Sequence, residues 1–252
     1  MNAILHQLRN QLGSVRDVYI APDRVPARYD FQPQDEVVLL LHGFFQTRNV
    51  WEVMEDRLRF DGFKVLSFNF KNRFSRHNIQ PVDMLARLVA DKVQRAQEKY
   101  GFSKIHVMGH SKGGLIARRY VQDYGGAEVA KSVITLGTPH YGTPIAWLGI
   151  GLTGLLTSSA RDMIPGSQLI EGLNLRRFPQ GLPMTSIYSR SDLLCPAWCA
   201  KLRPRTPEQL WFNVEVPRVG HCELTWDLRV YHSVKNALEN ATTRCQQPVE
   251  PT

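Results

Sequence analysis

One pentapeptide constrains this chain more than any other feature: Gly109-His110-Ser111-Lys112-Gly113, set between strand-like residues 105–108 and helix-like residues 115–124. A strand that turns straight into a helix holds its central residue in a strained conformation. Only glycines two before and two after it leave room for the crowding backbone. Gly109 and Gly113 stand at those positions. The helix start behind Ser111 also favours negative charge beside the serine. The segment therefore asks for a sheet backed by helices and presents one serine hydroxyl at the sheet's edge.

The rest of the chain keeps the same rhythm. Apolar runs of strand length at 37–41, 65–70, 105–108, 132–136, 185–188 and 212–216 alternate with helical patterns, of which 51–58 and 82–100 are the clearest. The run 37–41 is continuously apolar, as a strand covered on both faces should be. This alternation predicts an α/β protein with a mostly parallel central sheet and helices on both faces. Its 252 residues suit one domain spanning 1–252. Two segments break the pattern. Residues 1–12 place Ile4, Leu5, Leu8 and Leu12 at helical spacing, as in a helix docked on the domain. Residues 142–182 contain glycines and a dense apolar stretch without a clear strand, which is where a cap or lid is expected.

Composition excludes several classes. Hydrophobic residues at 43% and charged residues at 21% are ordinary for a globular domain. No window approaches the roughly 20 apolar residues that a membrane span needs, and residues 1–12 lack the apolar block of a secretory signal. The expectation is a cytoplasmic chain, slightly favoured, or a secreted one already trimmed of its signal. Lys and Arg outnumber Asp and Glu by 31 to 23, for a net charge of +8. That excess suits peripheral contact with anionic lipid surfaces. The basic residues are dispersed and carry no nucleic-acid motif, so no nucleic-acid partner is expected. Oligomeric state is left open. Cys195, Cys199, Cys222 and Cys245 fit neither a disulfide scaffold nor a zinc module, and either free thiols or one or two bridges remain possible at this stage.

A serine hydroxyl is a weak nucleophile near neutral pH until a base takes its proton, so Ser111 needs a histidine. Among eight histidines, His42 and His110 sit in backbone motifs, His106 lies on the strand before the elbow, and His232 falls in a helical run. His221 instead follows the last strand, in a loop able to reach back over the carboxyl ends of the sheet. The order serine, acid, histidine places the orienting carboxylate between 111 and 221. Asp192, just after the strand 185–188, is the candidate. Its rivals Asp162 and Asp123 lie in the suspected cap and late on the elbow helix. Acyl transfer through serine also develops an oxyanion that two backbone N–H groups must receive. Lys112, next to the serine, and Phe44, after Leu41-His42-Gly43 at the end of the first strand, are assigned these donors. Phe45, Trp147, Leu148 and Leu152 are expected to line the substrate-binding surface, and neither a metal nor a cofactor is needed.

With these residues assembled, the chain resembles bacterial triacylglycerol lipases and esterases of the α/β-hydrolase superfamily. The likeness runs from about 37 to 234. It rests on His42-Gly43-Phe44, the elbow continued by Gly114, Leu136-Gly137-Thr138-Pro139-His140-Tyr141-Gly142, Asp192 with Pro196, and Gly220-His221. The resemblance implies the α/β-hydrolase fold with a cap insertion, and cleavage of lipid or fatty-acyl esters through an acyl-enzyme on Ser111. A phospholipase, thioesterase or acyltransferase would use the same triad, and a non-catalytic binding module is the alternative from another class. Lys112 departs from the uncharged residue common at its position, although only its backbone N–H enters the chemistry. Some such lipases hold a structural calcium near the histidine loop. Here Glu223 lies close to His221 without a second ligand, so no metal site is assigned.

Overall fold

The computed structural model describes residues 30–70, 78–146 and 158–246, without the side chains of 158 and 244–246. Residues 1–12 lie outside the described residues, as does most of the apolar front half of the expected cap.

Among the described residues six strands form one sheet: β1 (Val37–Leu41), β2 (Lys64–Ser67), β3 (Ile105–His110), β4 (Ala130–Leu136), β5 (Met184–Tyr188) and β6 (Trp211–Glu215). Every neighbouring pair is parallel, in the order β2-β1-β3-β4-β5-β6. The chain starts inside the sheet, steps outward to β2, and returns to the other side of β1 before proceeding to β6. The order therefore reverses between β1 and β3, and the crevice at the carboxyl ends of two such strands is where open α/β sheets hold ligands.

Side-chain alternation sends β1 into two cores. Val37, Leu39 and Leu41 join one cluster with the helix α2 (Val82–Tyr100), while Val38 and Leu40 join another with α1 (Glu52–Phe60) and α8 (Leu228–Gln246). On α2 the buried residues Val82, Leu85, Ala86, Val89, Val93 and Ala96 keep helical spacing, and the helix stops at Gly101, which has φ 79°. α3 (Lys112–Asp123) follows β3 directly, and the four-residue α4 (Gly126–Val129) leads into β4. Within residues 142–182 the described part holds α5 (Ser158–Asp162) and α6 (Gln168–Leu175), and α7 (Ala197–Ala200) lies between β5 and β6.

Among the boundaries that differ from the sequence reading, two have a plain physical reason. β2 ends at Ser67 rather than at residue 70, because the next polar groups turn to side chains: Asn69 Oδ1 accepts from Arg48 N at 2.7 Å, and Phe70 N donates to His42 Nε2 at 3.3 Å. The elbow helix begins at Lys112 rather than 115, since Gly113 and Gly114 carry no apolar side chain to register its periodicity. Among the described residues no helix is long and apolar enough to cross a membrane.

Candidate active site

Ser111 sits at φ 55°, ψ −125° between β3 and α3, a left-handed conformation that costs a serine about 1–3 kcal/mol unless the surroundings enforce it. They do. Ser111 N donates to Leu136 O on β4 at 2.8 Å, and Gly114 N donates to Ser111 O at 3.0 Å. The flanking glycines allow main chain to lie on main chain. A Cβ at Gly109 would stand 2.4 Å from Gly113 C, and one at Gly113 would stand 2.0 Å from the carbonyl oxygen of Leu41.

The turn after β1 comes to the same point. A Cβ added at Gly43 would lie 3.0 Å from Ser111 Cβ, so the peptide leading to Phe44 passes against the serine. Gly43 N donates to Gln46 Oε1 at 2.8 Å, and Phe45 adopts φ 57° to close the turn. Lys112, the first residue of α3, contributes one of the N–H groups that a helix leaves without an intrahelical acceptor.

Asp192 and His221 come from the loops after β5 and β6. Asp192 Oδ2 accepts from His221 Nδ1 at 2.7 Å, and its other oxygen accepts from Leu194 N at 2.9 Å and Cys195 N at 2.8 Å. The carboxylate is fully enclosed and the imidazole is nearly so. Gly137 lies under the pair: a Cβ there would meet Asp192 Oδ2 at 2.9 Å and His221 Nδ1 at 3.2 Å. His110 supports the other side of the loop. Its Nε2 is 3.0 Å from the carbonyl oxygen of His221, which can only accept, so Nε2 carries a proton. Its Nδ1 is 3.0 Å from Gln46 Oε1, which already accepts from Gly43. Burial, with His221 and His42 nearby, pushes the pKa of His110 well below the ordinary imidazole range. Through its Nε2 proton the ring anchors the His221 main chain.

Ser111, His221 and Phe44 line one cavity of about 140 Å3, walled by Ile145, Ala160, Met163 and Leu194. Its lining is mostly apolar. Gln46, Thr143, Ala160, Met163, Leu194 and Cys195 also border it and were not anticipated from sequence. Phe45 does not border it; that ring is 40% exposed and lies edge-on against Phe44. Trp147, Leu148 and Leu152 lie outside the described residues. Asp162 caps α2, accepting from Val82 N at 2.8 Å, and burial raises its pKa against the pull of that N–H and of Lys112. Asp123 pairs with Arg119 and Arg176. His140 is buried on Thr135 and Arg118, away from the cavity lining. Glu223 accepts from Gly220 N at 2.6 Å, which shapes the histidine loop. Cys195, Cys199 and Cys222 are buried, and burial pushes the Cys195 thiol up. The side chain of Cys245 lies outside the described set.

Residues 36–153 match the family model described as alpha/beta hydrolase fold. Among solved structures, the chain is similar to the mature lipase BlEst2 of Bacillus licheniformis, with TM-score 0.66 and 14% identity, covering 86% of this chain and 96% of that one. A soluble variant of monoglyceride lipase from Saccharomyces cerevisiae gives TM-score 0.64 at 16% identity, over 92% of this chain and 99% of that one. A curated relative, the probable lysophospholipase BODYGUARD 4 of Arabidopsis thaliana, is 25% identical over 137 residues, 53% of this chain. The match spans only 31% of that relative's length. The chain has the α/β-hydrolase fold, and its structural neighbours include lipases and esterases.

Proposed function

We propose that this α/β-hydrolase fold is a serine esterase acting on fatty-acyl esters, a lipase or carboxylesterase, with Ser111, His221 and Asp192 as its triad. The observation that carries the reading is the strained Ser111 sharing a cavity with a histidine whose far nitrogen is held by a buried carboxylate. Asp192 keeps the proton of neutral His221 on Nδ1, which leaves Nε2 free to accept. As Ser111 Oγ bonds to the ester carbonyl carbon, its proton passes to His221 and the carbonyl π pair moves onto oxygen. The N–H groups of Phe44 and Lys112 receive that charge. Collapse breaks the bond to the alcohol, which leaves with the proton from His221, and water reverses the sequence on the acyl-enzyme. The apolar walls formed by Ile145, Ala160, Met163 and Leu194 suit an acyl chain.

Residues 142–182 act as a cap in this reading, since Ala160 and Met163 of that segment face the serine cavity. The test is hydrolysis of an ester series of increasing acyl length, with Ser111→Ala and fluorophosphonate labelling alongside. Label on the wild type, none on Ser111→Ala and turnover of fatty-acyl esters are expected. A folded wild type that takes no label would overturn the serine-enzyme reading. Lysophospholipid and thioester substrates in the same panel separate lipase from phospholipase and thioesterase. For the cap, the rate is followed through the solubility limit of the ester, and simple saturation without a rise as the interface forms would overturn a lipid-responsive lid.

A further inference from the structure

Lys112 is an odd residue to find where it is. Its side chain is fully buried, and that burial lowers its pKa to about 7, with the carboxylate of Asp162 pulling the other way. Burying an ammonium is costly unless its protons are bonded. Here all three have acceptors: Asn78 Oδ1 at 2.7 Å, Gln80 O at 2.5 Å and Asn78 O at 3.3 Å. Each acceptor belongs to the segment that enters α2, and none belongs to the elbow itself.

The consequence runs through Asn78, also fully buried. An ammonium can only donate, so it fixes Asn78 Oδ1 on its own side and turns Asn78 Nδ2 the other way. Nδ2 donates to the carbonyl oxygen of His42 at 2.9 Å. The peptide between His42 and Gly43 is thus held at both ends, its oxygen by Asn78 and its N–H by Gln46 Oε1. The next peptide carries the Phe44 N–H. Its oxygen, on Gly43, accepts from Gln46 N at 3.3 Å and faces His42 Nδ1 at 3.2 Å. Because Phe70 N donates to His42 Nε2, the ring proton sits on Nδ1 and that contact is a donated bond. In a trans peptide the N–H points opposite the oxygen, so pinning Gly43 O aims the Phe44 N–H.

We propose that the Lys112 side chain is a positioning group for the oxyanion pocket: through Asn78 it locks the His42-Gly43-Phe44 turn against the elbow. This rests on the functional reading above, in which Phe44 and Lys112 N–H receive the oxyanion. One residue then supplies one donor from its backbone and orients the other through its side chain.

Two variants test the linkage. Asn78→Asp keeps an acceptor for Lys112 and adds a compensating charge, but it cannot donate to His42. Lys112→Met fills similar space without donors, and its backbone N–H is retained. Expected for each is a kcat lower by about tenfold or more with KM within about twofold, as for a small misplacement of a catalytic group. The second readout is inhibition by a trifluoromethyl ketone acyl analogue. Serine adds to its carbonyl carbon, the π pair becomes an oxyanion, and the serine proton goes to His221. Its Ki should rise by the factor by which kcat/KM falls. Wild-type kcat and Ki in folded Asn78→Asp would overturn the proposal even if Lys112→Met failed to fold. A rate loss without a matching change in Ki would also overturn it, as a general structural effect. Failure of the functional reading is distinguishable: wild type would then take no fluorophosphonate label, or Ser111→Ala would keep its turnover.

Discussion

Asp192 holds three donors with two oxygens, and that arrangement decides what its amide would do. With asparagine in its place, the single side-chain oxygen is drawn to the two backbone N–H groups of Leu194 and Cys195, which turns the NH2 toward His221. A donor there forces the imidazole proton onto Nε2, the tautomer that cannot accept from serine. Asp192→Asn is therefore expected to lose about 10⁴ in kcat, less than or similar to the loss in Ser111→Ala or His221→Ala, which form one proton-transfer unit. Steady-state rates on folded proteins check this, and an Asp192→Asn variant within about tenfold of wild type would remove Asp192 from the triad. Gly137→Ala should be costly for a different reason. Its φ of 52° and the closeness of Asp192 and His221 leave no space for a methyl group. A loss of about 1–3 kcal/mol is expected in denaturant unfolding, along with reduced kcat. Ser111 was legible because its glycine spacing is a local steric requirement, and Asp192 and His221 because chain order narrows the choice. Asn78, Gln46 and the Lys112 side chain were not legible, since their partners lie on other elements and nothing in their immediate sequence announces the contact.

At the scale of elements, periodicity located the strands and long helices because buried faces repeat, and β1 and α2 match the expected limits residue for residue. It misplaced ends where polar groups leave the ladder for side chains, as after Ser67, and where glycines hide a helix start, as at Lys112. The described part of residues 142–182 is tied to the body by two devices that periodicity does not carry. Arg118 on α3 is fully buried and donates to Leu173 O at 2.7 Å and Asn174 Oδ1 at 3.1 Å, both on α6. Asp162, the last residue of α5, serves as a remote cap for α2. Pro81 precedes that helix and has no side-chain capping bond of its own. Asp162→Ala should cost about 1 kcal/mol, the usual worth of an N-cap oxygen, read as a lower denaturant midpoint. An unchanged midpoint would show that α2 needs no such cap.

For the whole molecule, stability should climb with pH on the acid side of neutrality. Burial holds His110 and His140 well below the ordinary imidazole range, with nearby His221 adding to the effect on His110 and the Arg118 charge on His140. Both take up protons near pH 6.5 only when the chain unfolds. Their contribution is thus fully present above about pH 6.5 and is lost on acidification toward the folded-state values, at about 1.4 kcal/mol per pH unit for each. Denaturation midpoints between pH 5 and 7 check the acid limb, where His140→Gln should roughly halve the slope; an unchanged slope would mean that His140 is not the proton acceptor. The glycine contacts of the elbow carry one more consequence, for how this molecule behaves when heated. Gly109 rests on Gly113, and Gly113 on Leu41, main chain on main chain, so no rotamer can give way to loosen the serine while the sheet persists. The amide hydrogens around residues 109–114 should exchange with solvent deuterium only through global opening, and the proposed esterase activity should vanish at the same temperature as the folded structure, with no folded but inactive species on the way.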